Sequence, residues 1–103
     1  MKTLNAAQVK QMISDQPEIK LVMTLGPAAY AKCHIPGSLN VWTIESAKER
    51  FPLDSKIIVY CSDTRCMASY YAYQQLEEAG YQNIWRFAGG LMEWDESGYD
   101  LSS

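Results

Sequence analysis

Lys56-Ile57-Ile58-Val59-Tyr60-Cys61-Ser62-Asp63-Thr64-Arg65-Cys66-Met67 is the stretch from which the fold can be read. Its first half is an unbroken apolar run, rich in β-branched residues and without polar alternation. That is the pattern of a strand covered on both faces, the usual situation in parallel sheets. The run ends directly in Cys61, a polar loop follows, and from about Cys66 to Ala79 the pattern becomes helical. Ala72, Leu76 and Ala79 share one face of that helix, and Gly80 stands just past its end as a left-handed stop.

Upstream, Asn5 is placed to cap a helix over about 6–15, with Val9, Met12 and Ile13 at helical spacing and Pro17 ending it. Ile19 to Thr24 reads as a short buried strand closed by Gly26-Pro27, and Pro27 opens a brief helix through Tyr30 and Lys32. His34-Ile35-Pro36-Gly37 breaks that helix, since Pro36 lacks a donor and Gly37 tolerates a turn. Ser38 to Trp42 reads as a second core strand, Ile44–Arg50 as an amphipathic helix, and Pro52 to Ser55 as a loop. Downstream, Asn83 to Phe87 is a strand, and Gly89-Gly90 turns the chain into a last helix that carries Trp94 and ends near Gly98. Strands alternating with helices, without hairpin dipeptides, favour an open parallel sheet covered on both faces.

With 103 residues, the chain is expected to form one domain over 1–103, and 48% hydrophobic residues suffice for a core without metal or disulfide staples. Nine basic against twelve acidic residues give a net charge of −3 with no Lys/Arg cluster, which argues against nucleic acid and anionic membrane as partners. No apolar run approaches the ~18 residues of a membrane span, and Met1-Lys2-Thr3-Leu4-Asn5 has no secretory pattern, so the expected location is cytoplasmic. Three cysteines, an odd number, read as free thiols rather than a disulfide framework.

Ligands of open α/β sheets bind beyond the carboxyl ends of the strands, and Cys61 stands at such an end. The backbone amides of Ser62, Asp63, Thr64, Arg65, Cys66 and Met67, with the dipole of the following helix, are suited to stabilise a thiolate and hold an oxyanion beside it. Arg65 supplies positive charge and Asp63 opposes it. Such surroundings lower a thiol from about 8.5 into the ~3.5–7.5 range. The plain alternative is a small buried hydrophobe at a strand end. Cys66 completes a C-x4-C pair, as a resolving thiol or as an inward-packed residue of the first helical turn. A zinc site from Cys33, His34, Cys61 and Cys66 fails the spacing of paired ligands, so no metal is expected. Tyr70, Tyr71 and Tyr73 cannot all face the core from one helix, which leaves at least one exposed near the site.

Three segments carry a family resemblance. Tyr30-Ala31-Lys32-Cys33-His34-Ile35-Pro36-Gly37-Ser38-Leu39-Asn40 resembles the Y-x-x-x-H-I-P-G-A-x-N signature of the rhodanese family. Ile57 to Cys61 resembles its active-site strand, and Gly80-Tyr81, Gly89-Gly90 with Trp94, and Gly98-Tyr99 resemble its ending. The resemblance runs from about Ile19 to Leu101. It implies a three-layer α/β fold with a central, mostly parallel five-stranded sheet and helices on both faces. It also implies a sulfurtransferase: Cys61 takes sulfane sulfur from thiosulfate or a persulfide or polysulfide donor and passes it, as a persulfide, to cyanide or a thiol. The donor is a small anion, the acceptor a small thiol or a protein thiol, and no metal or organic cofactor is required. His34 then belongs to a structural turn and Cys33 is structural or incidental, while the C-x4-C spacing offers Cys66 as a second sulfur carrier.

The sequence departs from the family pattern in three places. The family loop reads roughly C-x-x-G-x-R-S/T, whereas here Thr64 takes the glycine position and Arg65 comes one residue early. The connection from Cys61 to the helix is about two residues longer than in ordinary sulfurtransferases, yet Met67 rather than arginine stands six after Cys61, against the C-x5-R of phosphatase-like relatives. Met23 and Leu25 replace an acidic and a basic residue of the family's L-I-D-V-R strand. These departures keep two other functions in view: a non-catalytic interaction module, and a Cys61/Cys66 thiol oxidoreductase or oxyanion reductase.

Overall fold

A computed structural model describes residues 1–103. In chain order its elements are β1 (Thr3–Leu4), α1 (Ala6–Asp15), β2 (Lys20–Met23), α2 (Pro27–Lys32), β3 (Leu39–Asn40), α3 (Ile44–Arg50), β4 (Ile57–Tyr60), α4 (Ala68–Glu78), β5 (Ile84–Phe87) and α5 (Gly90–Glu96). One sheet of order β1-β5-β4-β2-β3 contains all five strands, and every pairing is parallel. The apolar run at 57–60 is thus the middle strand, and all four of its residues are buried. No helix is long and apolar enough to cross a membrane.

Strand alternation divides the core in two. Ile58 and Tyr60 face one side, with Val9 of α1, Met23, Phe87 and Trp94 of α5. Ile57 and Val59 face the other, with Ala47 of α3, Phe51, Tyr73 and Leu76 of α4, and Ile84. Each large apolar side chain so buried contributes roughly 1.5–3 kcal/mol. Tyr60 brings a hydroxyl into the first core, and that hydroxyl is satisfied: it accepts from the Ile35 amide at 3.0 Å and pairs with Ser38 Oγ at 2.8 Å. Burial pushes its pKa up to about 12, so the phenol stays neutral.

Two local expectations are corrected, and one strand joins those expected. The edge strand β1 carries no periodicity in two residues; it forms because β5 offers a free edge, with the Arg86 amide bonding the Lys2 carbonyl at 2.8 Å. The strand expected over 38–42 shortens to Leu39–Asn40, and the Asn40 side-chain amide turns back to the carbonyls of Met23 and Leu25. The helix expected from Cys66 starts at Ala68, because Asp63 draws the amides of Arg65 and Cys66 into a separate turn.

Two long-range contacts set α5. The Glu93 carboxylate accepts the Ala6 amide, an otherwise orphaned donor at the start of α1, beside the reciprocal Asn5–Gln8 capping box. At its own start α5 lies against the end of β4: the Leu91 amide donates to the Cys61 carbonyl at 3.0 Å and the Met92 amide to the Ser62 carbonyl at 2.9 Å. Gly90 permits this approach, since it sits at φ +56° and a Cβ there would lie 2.2 Å from the Cys61 carbonyl oxygen. Gly90→Ala is therefore expected to cost more than about 2 kcal/mol in denaturant unfolding. Gly26→Ala, with open space around the added carbon, should cost under about 1 kcal/mol; equal costs would mean the close approach is unimportant.

Candidate active site

Cys61 follows β4 without a break, and its side chain points to the face covered by α4, continuing the alternation of Ile57 and Val59. The residue is 0% exposed. Its Sγ lies 3.5 Å from Ser69 Oγ and 3.4 Å from the Cys66 carbonyl oxygen. Ser69 stands in the first turn of α4, where backbone amides have no helical partner, and its own amide points at the sulfur. Arg86 reaches in from β5: Nε donates to Ser69 Oγ at 2.9 Å and a terminal nitrogen to the Cys66 carbonyl at 3.4 Å. The protonated Cys61 thiol donates to Ser69 Oγ, which also accepts from Arg86; once the sulfur is ionised, the Ser69 hydroxyl can turn its proton to it. The guanidinium also lies 5.7 Å from the centre of the Tyr70 ring.

The loop is not an open ring of amides. Asp63 Oδ1 accepts from the Arg65 amide at 2.9 Å and the Cys66 amide at 3.2 Å, so an internal carboxylate occupies two of the expected donors. Those bonds, that of Arg65 foremost, hold Asp63 below the usual carboxylate range. The Arg65 side chain is 87% exposed and pairs only with Asp63, at 3.4 Å. In this arrangement Arg86, not Arg65, is the guanidinium behind the cysteine. Sequence reading missed Arg86 because it lies twenty-five residues from Cys61 inside an ordinary strand; its one signal was a charge amid Ile84, Trp85 and Phe87. Ser69 was missed because its role depends on where α4 begins.

The two nearby thiols differ. Burial pushes Cys61 up, and a hydrogen bond with the Cys66 thiol adds to the rise, against the opposing bonds from Ser69. The expected depression of this thiol is thus reversed at rest, because desolvation outweighs the helix terminus and Arg65 stands in solvent. Burial would raise Cys66 as well. There the Cys61 thiol, the amides of Ala68 and Ser62 and the Ser62 hydroxyl all direct hydrogen bonds at the sulfur, and the net direction is downward. All three cysteines are free, and no group of three His, Cys, Asp or Glu is arranged to hold a metal ion.

Comparison with known proteins places this geometry. The family model described as a rhodanese-like domain matches residues 5–97. The chain belongs to the rhodanese-like domain family. Among solved structures, a Bacillus halodurans protein superimposes with a TM-score of 0.88 at 21% identity, over 99% of this chain and 77% of that one. A rhodanese-like domain from Anabaena gives 0.88 at 19%, over 100% and 80%. A thiosulfate sulfurtransferase from Pseudomonas aeruginosa gives 0.84 at 21%, over 99% of this chain but only 20% of that one. At these identities the likeness shows the fold. A search of curated proteins found no match.

Within this rhodanese-like domain the His-Ile-Pro-Gly segment is a packing device. The His34 ring stacks on Tyr30 at 3.8 Å, its Nδ1–H donates to the Tyr30 carbonyl at 2.7 Å, and its backbone pairs with Ser102. Met23 is fully buried and Leu25 packs on the same core, filling with apolar volume the place where the family pattern has an ion pair. Of the three helix tyrosines, Tyr73 is buried, Tyr70 lies under Arg86 and Tyr71 is exposed. Met67, at the end of the loop, is exposed as well. Iodoacetamide labelling followed by peptide mass mapping tests the two thiols. Cys66 is expected to react ahead of Cys61 at pH 7–8, with the Cys61 rate still climbing above pH 9. Cys61 labelling first would contradict this order.

Proposed function

We propose that this rhodanese-like domain is a sulfurtransferase in which Cys61 carries sulfane sulfur from a small anionic donor such as thiosulfate to a thiol acceptor. The observation that carries this reading is the sulfur of Cys61 set against Ser69 at the start of α4, with Arg86 holding Ser69 from behind. A buried sulfur is a poor thiolate in isolation, but here its ionised form gains the Ser69 amide and hydroxyl as donors and a guanidinium one bond further away.

The chemistry follows from these contacts. Cys61 gives its proton to solvent, and the Ser69 amide and hydroxyl hold the thiolate. The Cys61 thiolate attacks the outer sulfur of thiosulfate, a new S–S bond forms, and the old one breaks with its electron pair leaving on sulfite. The resulting persulfide anion takes the hydrogen bonds of Ser69. An acceptor thiolate then attacks the outer sulfur, leaving with it as a new persulfide and restoring Cys61. Cyanide in the acceptor role gives thiocyanate. The acceptor, whether small thiol or protein cysteine, enters through the loop, beside the exposed Met67 and Tyr71.

A second reading has its own observation. Asp63 closes two loop amides and Cys61 is fully buried, which would suit a binding module that has given up catalysis. Intact mass after brief incubation of the reduced protein with thiosulfate or polysulfide separates the two. A donor-dependent change that needs Cys61, either a gain of one sulfur of about 32 Da or the loss of thiols with release of sulfide, and that is abolished in Cys61→Ser, is the expected result for a nucleophilic cysteine. If neither change occurs with either donor, the binding module remains. Because Asp63 is a fixed negative charge where the donor must dock, Asp63→Asn keeps the amide contacts and removes the repulsion. It is expected to lower KM for thiosulfate about two- to fivefold, with the gain shrinking as salt is added. An unchanged KM would place the donor away from this loop.

A further inference from the structure

The C-x4-C pair has a use that simple transfer does not absorb. Cys66 is half-buried in the loop, and its carbonyl oxygen lies 3.4 Å from Cys61 Sγ. The Cys66 main chain thus lies against Sγ itself, the atom that becomes the inner sulfur once Cys61 carries a persulfide, rather than against the place of the outer one. A thiolate attacking an inner sulfur expels the outer one and makes a disulfide, whereas attack on the outer sulfur only relocates it.

We propose that Cys66 resolves the Cys61 persulfide, making this chain a sulfide-releasing enzyme that cycles through a Cys61–Cys66 disulfide. This rests on the sulfurtransferase reading above. In the step, the outer sulfur of the persulfide takes a proton from water, the Cys66 thiolate attacks Cys61 Sγ, the Sγ–S bond breaks, and hydrosulfide leaves with the electron pair. The sulfane sulfur is reduced by two electrons and the two thiols are oxidised by two. Per turn, one thiosulfate and two thiols yield one sulfite, one sulfide and one disulfide. A dithiol reductant then opens the disulfide by thiol–disulfide exchange and resets the pair.

Three features support the assignment. The Ser62 and Ala68 amides and the Ser62 hydroxyl converge on the Cys66 sulfur and favour its ionised form, so the attacking group is prepared before the persulfide exists. Four residues of loop separate the two positions, and the Asp63 turn, with the Cys66 amide bonded to the Asp63 carbonyl at 3.2 Å, folds Cys66 back over Cys61. Arg86 anchors the Cys66 carbonyl at 3.4 Å, which keeps the residue at the site. The third cysteine, Cys33, caps α2 and lies outside this constellation.

The test uses the full-length reduced protein, freed of reductant and mixed anaerobically with thiosulfate. Intact mass, free-thiol count and released sulfide are measured for wild type, Cys66→Ser and Cys66→Ala. Wild type is expected to lose two thiols, become about 2 Da lighter and release close to one sulfide per chain. Both Cys66 variants are expected to stop at the Cys61 persulfide, about 32 Da heavier, with no sulfide. If wild type also stops at the stable persulfide without releasing sulfide, the resolving role is overturned while sulfur transfer stands. If wild type loses its thiols equally without thiosulfate, the disulfide does not come from a persulfide and the proposal fails. If neither Cys66 variant gains sulfur, the sulfurtransferase reading itself is overturned.

Discussion

Two main-chain hydrogen bonds, from the Leu91 and Met92 amides to the Cys61 and Ser62 carbonyls, fix the point where the central strand becomes a loop. The direction of everything beyond that point depends on them. They hold the cysteine at the alternation that sends its sulfur toward α4, and they require the backbone of α5 to pass within contact distance of the β4 exit. Only a residue without a side chain fits there, which is why a glycine 29 residues downstream belongs to the architecture of the site. The same helix reaches back through Glu93 to the first turn of α1, so one element joins the cysteine, the sheet and the amino-terminal helix.

The site contains a tension between packing and ionisation. A middle strand covered on both faces ends in a residue that is itself covered, and a covered sulfur resists charge. The structure answers with donors rather than with solvent: an amide and a hydroxyl of Ser69, the hydroxyl fixed by Arg86. Cys66, nearer the surface, has more donors per sulfur and shifts the opposite way. The two thiols therefore shift in opposite directions, and the buried member holds its proton the more tightly.

Much of this could be read from residue order. The apolar run before Cys61, the proline and glycine breaks, and the Asn5 cap locate β4, α1 and α5 because each signal is local. β1 escaped, since a two-residue edge strand owes its existence to its neighbour rather than to its own pattern. At the site, Cys61 was legible as the end of a strand, while Arg65 drew attention by lying in the loop. Its guanidinium turns to the nearer carboxylate, Asp63, and out to water. Arg86 holds the position instead because β5 lies beside β4, and strand adjacency across twenty-five residues leaves no mark in the order of residues.

The sheet order has a consequence for synthesis. Of these five strands β1 is made first, yet it finds its partner only in β5, the last of them, and the α1 terminus waits for a carboxylate 87 residues later. Until then α1 can dock only a partial core, since Phe87 and Trp94 of that core are still to come. Until β5 and α5 are made the sheet lacks its β1–β5 pairing, and their arrival completes the backbone around Cys61 together with the fold.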